Sequence, residues 1–204
     1  MKHRQYGGWG IYTDSASANI VVEKNVVYDT SAQTIITNAV DDGPTNREII
    51  VRNNIFALGD GGGAAVPENY FRRQNNPPGL AAMYLHNIFI NLPSRPSYVA
   101  ELGPVKEHPH NEIFFSDLNL FWDVSGKPPL MNHEYEADHG RRPKESQDVE
   151  AWRALGSDLH SLIADPRVSD LEKRDFTLSP DSPAFQLGFE RIDFSQVGPR
   201  PLAR

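Results

Sequence analysis

Short apolar runs punctuated by asparagine recur along the first part of the chain. They read IVVEKNVVY at Ile20–Tyr28, IIVRNNIF at Ile49–Phe56 and MYLHNIFI at Met83–Ile90. A less clean copy, IFFSDLNLFW, spans Ile113–Trp122. The recurring asparagines are Asn25, Asn54, Asn87 and Asn119, spaced 29, 33 and 32 residues apart. Val, Ile, Phe and Tyr dominate each run, and these residues suit a pleated, half-buried surface. Each run is too short for an ordinary helix and is bounded by turn formers, so each predicts a strand–turn–strand unit. A unit repeating at roughly 30-residue intervals predicts stacked coils, a solenoid in which each repeat packs only on its neighbours. An Asn at each corner fits that arrangement. Its amide can hydrogen-bond along the stack, and Asn tolerates the left-handed conformation of a sharp corner. A globular sandwich with coincidental spacing is the alternative reading.

The segments between runs differ in character. GDGGG at 59–63 predicts a flexible turn. Residues 92–112 carry Pro93, Pro96, Pro104 and Pro109 and predict a long loop. Residues 126–148 are polar and charged and read as a surface excursion. One helix is expected next, with Ser146 as N-cap, Asp148 and Glu150 in its first turn, and Gly156 as its stop. Val149, Trp152 and Leu155 share a face at helical spacing, and Trp152 reads as a packing anchor. A short strand at Asp175–Leu178, a turn at 179–183 and an apolar wrap at Ala184–Phe189 follow. The predicted organisation is coils with long loops over 1–125, and an excursion, a helix and a cap over 126–204.

Composition narrows the chemistry. The 204 residues include 15 glycines and 16 prolines, too many for a helical bundle. Pro44 is the only proline before residue 67, so a proline-poor stack precedes proline-rich loops and cap. With no cysteine, there is no disulfide framework, thiol nucleophile or Cys-bound zinc. The net charge of −7 and scattered basic residues argue against nucleic acid and anionic membrane as partners. No apolar run is long enough to span a bilayer, and Met1 leads into KHRQYGGWG without the apolar core of a signal peptide. No nucleophile elbow, Walker motif or dinucleotide fingerprint is present.

GGWGIYTDSASANIVVEKNVVYDT, IIVRNNIF and DLNLFWDVSGKP resemble coils of the bacterial right-handed parallel β-helix proteins that act on polysaccharides. EAWRALGSDLHSLIADP, DFTLSPDSPAFQLGF and IDFSQVGP resemble the C-terminal closing segment of large members of that group. The resemblance covers nearly the whole chain. It implies a right-handed parallel β-helix of about four coils with a C-terminal helix and irregular cap. It further implies an exported protein whose N-terminal coils lie outside this sequence. Three departures stand out. Asp14-Ser15 replaces the Asp-Glu that often follows the GIY strand. IITNAVDDGP, with carboxylates and no His, replaces a His-rich stretch. Asp165-Pro166-Arg167-Val168 replaces the usual Asp-Pro-Leu-Phe.

Asp14 follows the first strand, and 27 or 28 residues on lie Asp41 and Asp42. Coils in such a stack sit about 4.8 Å apart, so Asp14 and one of these are expected as neighbours. Two carboxylates about 5–5.5 Å apart suit a retaining glycosidase, and about 6.5–9.5 Å an inverting one. Mutual repulsion would leave one protonated to act as acid. The same aspartates are also explained as turn residues, since Asp42-Gly43-Pro44 is a strong turn signal. Arg72, Arg73 and His108 are candidate substrate contacts, an Arg being able to grip a uronic-acid carboxylate. Trp9 and Tyr12 are candidate sugar platforms, although one face of their strand must be core. A polyuronate lyase would need such an Arg and commonly a calcium. No Asp-x-Asp-x-Asp array supports calcium, and no other cofactor or metal is expected. A noncatalytic carbohydrate-binding or structural module is the alternative to an enzyme.

Overall fold

The computed structural model describes residues 7–38, 46–66, 80–100, 114–134 and 144–196. Three parallel sheets are visited in rotation by successive strands. Sheet A runs β1 (Ile11–Thr13), β4 (Ile35–Thr37), β7 (Ala64–Val66), β10 (Pro96–Ala100) and β13 (Leu130–Glu134). Sheet B runs β2 (Ala18–Glu23), β5 (Arg47–Arg52), β8 (Ala82–Leu85) and β11 (Phe114–Asp117). Sheet C runs β3 (Val26–Tyr28), β6 (Ile55–Ala57), β9 (Ile88–Asn91), β12 (Leu120–Asp123) and β15 (Leu162–Ile163). The protein is all-β with stacked parallel sheets, an arrangement consistent with a parallel β-helix.

Register is kept by side chains that repeat at the same level. Val27, Phe56, Phe89 and Phe121 are successive partners across sheet C and point inward. The Phe56–Phe89 and Phe89–Phe121 rings lie 5.4 and 5.3 Å apart. A one-residue slip would turn this column outward, so burial specifies the register. Each fully buried Phe contributes about 1.5–3 kcal/mol of transfer free energy.

The recurring asparagines form the expected ladder. The side-chain oxygen of Asn54 accepts from the backbone N–H and the amide of Asn25, both at 3.0 Å. Asn87 receives Asn54 in the same way at 3.1 and 3.0 Å, and Asn119 receives Asn87 at 2.8 and 3.1 Å. The left-handed corner conformation falls on the preceding residue instead, on Lys24, Asn53, His86 and Leu118, with φ between 53° and 57°. This backbone costs roughly 1–2 kcal/mol for a residue with a Cβ. The paired ladder and the packed core over-determine it.

The ladder ends at a buried carboxylate. Helix α1 (Val149–Ala154) lays Trp152 across the end of the core, its ring 5.6 Å from Tyr98. Beyond the helix, Asp158 is fully buried and accepts from Ser161 Oγ (2.7 Å), Asn119 Nδ2 (3.1 Å), Ser116 Oγ (2.8 Å) and Trp152 Nε1 (2.8 Å). Burial raises the Asp158 carboxyl above its ordinary value, opposed by these four donors.

The C-terminal segment covers the outer face of sheet C. The antiparallel pair β16 (Val168–Asp170) and β17 (Asp175–Leu178) leads into a 3-10 turn at Pro183–Leu187. Phe176, Leu178, Ala184, Leu187 and Phe189 bury the outward side chains Ile55, Ala57, Ile88, Ile90 and Leu120. The strap hooks onto the left-handed corner. Asn53 exchanges two hydrogen bonds with the Glu190 backbone, His86 Nδ1 donates to Leu187 O at 2.5 Å, and Lys24 pairs with Glu190 at 2.7 Å.

Four sequence expectations change. The N-cap of α1 is Asp148, whose carboxylate accepts from Ala151 N, because Ser146 lies in β14 (Lys144–Gln147). Within the expected excursion, 130–134 forms β13 and joins sheet A, and β14 pairs back on it antiparallel. Within the expected proline loop, 96–100 forms β10, which proline tolerates as a strand's first residue. GDGGG is a tightly packed turn between neighbouring levels. Gly62 has φ +101°, and a Cβ there would come within 2.3 Å of Pro96 O.

Candidate functional site

Asp14 sits in the turn between β1 and β2, where its backbone carbonyl accepts from Ser17 N. Its exposed carboxylate oxygen Oδ1 accepts from Ser15 N at 2.8 Å, Asn38 Nδ2 at 3.0 Å and Tyr12 Oη at 3.3 Å. Asn38, then the Ser15 N–H, then Tyr12 stabilise the charged form, against desolvation, which outweighs the Tyr12 contribution alone. The carboxyl is held below its ordinary value. Asp14 is thus both a turn residue and an ionised group at the surface.

Tyr12 and Trp9 adjoin it. Thr13 and Ile11 turn toward the interior and Tyr12 points outward, 37% exposed. The rings of Trp9 and Tyr12 lie 5.3 Å apart, tilted by 48°, and the Trp9 indole donates to Gln33 Oε1 at 2.9 Å. The structure therefore brings Trp9, Tyr12 and Asp14 onto one surface. The other predicted site residues, Asp41, Asp42, Arg72, Arg73 and His108, lie outside the described residues.

The residue beside Asp14 on the next level is Asn38. Ile11 pairs with Ile35 and Thr13 with Thr37, an offset of 24 in this sheet, whereas β2 and β5 are offset by 29. The chain adds its extra residues between β4 and β5. The offset between levels thus differs from sheet to sheet.

One polar pair was not singled out from the sequence. Asp117 Oδ2 lies 2.6 Å from His160 Nδ1, and its Oδ1 accepts from the N–H groups of His160 (2.7 Å) and Leu118 (2.8 Å). Burial pushes the Asp117 carboxyl up. The His160 side chain and the two backbone donors outweigh it, and the net direction is downward. The two residues are 43 apart in sequence and meet because β15 stacks on β12. No local signal announces this contact. The His160 side chain is largely exposed.

Among the described residues, no group of three or more His, Asp or Glu is placed to hold a metal ion. A cavity of about 320 Å³ lies under the strap, lined by Ile55, Phe176, Leu178, Phe189, Arg191 and Phe194 among others. Its walls are mostly apolar and it holds none of the predicted site residues. No family model, curated protein or solved structure matches the chain.

Proposed function

We propose that this protein acts on polysaccharide, as a right-handed parallel β-helix of about four coils closed by a C-terminal cap. The observation that carries the reading is the placement of Trp9 and Tyr12 beside the ionised Asp14. Aromatic faces offer apolar area to sugar C–H groups, and a carboxylate with an adjacent amide accepts from and donates to sugar hydroxyls. In the hydrolytic version, Asp14 is the carboxylate that stays charged and serves as base or nucleophile. Its acid partner is Asp41 or Asp42, and Arg72, Arg73 and His108 contact the substrate. Asp14 is suited to the charged role because its surroundings favour ionisation, whereas the acid of such a pair needs a raised pKa.

Incubation of the chain with a panel of polysaccharides tests this, with released reducing ends as the readout. Turnover that Asp14→Asn abolishes supports the hydrolase. Turnover giving an unsaturated, ultraviolet-absorbing product, sensitive to Arg72→Ala or Arg73→Ala, identifies a lyase instead. No turnover and no glycan affinity overturns the proposal.

A second reading is noncatalytic carbohydrate binding. The specific observation favouring it is that Asp14 faces Asn38, a group that does not titrate, on the next level. Glycan affinity that survives Asp14→Asn without turnover, but falls on Trp9→Ala or Tyr12→Ala, supports this reading over the enzyme.

A further inference from the structure

The asparagine ladder has a polarity, and its two ends differ. Each side-chain oxygen accepts from the N–H and amide of the asparagine one turn earlier in sequence. At the late end, Asn119 donates to Ser161, Tyr84 O, Ser116 and Asp158, and the ladder is closed. At the early end, Asn25 gives its backbone N–H to Asn54 and its amide to Asn54 and Glu23 O. Among the described residues, its side-chain oxygen accepts no hydrogen bond.

Two independent features coincide there. β1, β2 and β3 are edge strands of their three sheets among the described residues, so all three edges open at the same end. The inward side chains Ile11, Ile20 and Val27 are only partly buried, while their register partners Ile35, Ile49 and Phe56 are completely buried. Among the described residues, the core is open in cross-section at this end and enclosed one turn later.

We propose that the β1–β3 end is a docking surface for one further β-coil, a strand-turn-strand segment running parallel to β1, β2 and β3. Its corner carries an asparagine whose backbone N–H and amide both donate to the Asn25 side-chain oxygen. Its inward apolar residues cover Ile11, Ile20 and Val27. The ladder's polarity selects this occupant. A second copy meeting the first head to head would set the Asn25 oxygens against each other, since the donors of both are already engaged. A copy stacking by its other end is blocked by Asp158, Trp152 and α1. Unpaired parallel edges are templates for strand addition, and the corner oxygen sets the direction and level of the added coil.

Hydrogen exchange of the full chain tests the proposal, using a synthetic peptide that copies residues 11–28, β1 through β3, as the probe. That segment already docks in this manner on β4–β6 through its own Asn25. The expected result is saturable slowing of β1–β3 amide exchange by about tenfold or more, absent with a peptide carrying Asn25→Ala. No slowing by the peptide overturns the proposal. So does equal slowing by the Asn25→Ala peptide. Slowing that depends on the chain's own concentration, with a dimer mass by light scattering, also overturns it in favour of a second copy.

Discussion

Asn119 donates its side-chain amide to Asp158 at 3.1 Å, joining the last rung of the ladder to a carboxylate fully buried beneath Trp152. Four neutral donors, and no cation among the described residues, satisfy that carboxylate. Asp158→Ala would leave Trp152 Nε1, Ser161 Oγ and Ser116 Oγ without this acceptor, whereas the Asn119 amide keeps Tyr84 O and Ser116 Oγ. Each buried donor left unpaired costs about 1–3 kcal/mol, so the loss is expected to exceed about 3 kcal/mol and to release α1 from the end of the core. Denaturant unfolding followed by tryptophan fluorescence measures this. A loss within the ordinary surface range of about 0.5 kcal/mol would contradict the assigned role.

Asp158 and Asp117 carry opposite pH signatures. Asp158 is raised in the folded state, so its contribution is fully present below the ordinary carboxylate range and is lost as pH rises through its raised value. Asp117 is lowered, so its contribution is present above the ordinary range and is lost as pH falls through its lowered value. Asp158→Asn is expected to remove a decline of stability with rising pH, and Asp117→Asn a decline with falling pH. Unfolding midpoints measured across the acid range distinguish the two, and identical profiles would contradict both assignments.

Position along the ladder should grade the cost of losing a rung. Asn87→Ala strands the Asn54 N–H and Val51 O inside the core and is expected to cost about 2–4 kcal/mol. Asn25→Ala removes two donor contacts at a half-exposed end and is expected to cost about 1 kcal/mol. The comparison is made by denaturant titration of both variants. Equal costs would mean that the ladder is not the source.

Asn38 holds Asp14 ionised by the first and largest of its hydrogen bonds. Asn38→Ala is expected to move the Asp14 carboxyl back up toward its ordinary value without unfolding the chain. Carbon-13 NMR titration of the Asp14 carboxyl reads the shift directly. An unchanged titration would remove Asn38 from the site.

The strap is tied to the first turn by Arg174, which grips both oxygens of Asp29 at 2.7 and 3.0 Å across 145 residues of sequence. Both groups are substantially exposed, so the pair contributes about 0.2–1 kcal/mol and is screened by salt. Arg174→Ala is expected to raise amide exchange in β16 and β17 at low salt and to change little at high salt. A salt-independent effect would point to packing of the arginine stem instead.

The repeat of Val, Ile and Phe runs with a corner Asn predicted both the stacked strands and the ladder, because those residues meet their own equivalents on the next level. Trp152 as an anchor and the strand at Asp175–Leu178 were legible for a similar reason, each following from spacing within a few residues. Ser146 as a cap was misplaced because antiparallel pairing with β13, a tertiary event, claimed the residue for a strand. The sequence around Pro96 reads as loop because the buried edge it pairs with, at Gly63–Val66, lies a full turn earlier.

By itself, then, the order of apolar and polar residues determined which segments are strands and which asparagines stack, since both rest on one periodicity. Only the tertiary structure decided that Asn38 stands beside Asp14, that His160 reaches Asp117, and that Asp158 closes the ladder. The length of chain between strands differs from sheet to sheet, so side-chain partners across levels follow from the backbone register. A periodicity read along the chain does not contain that register.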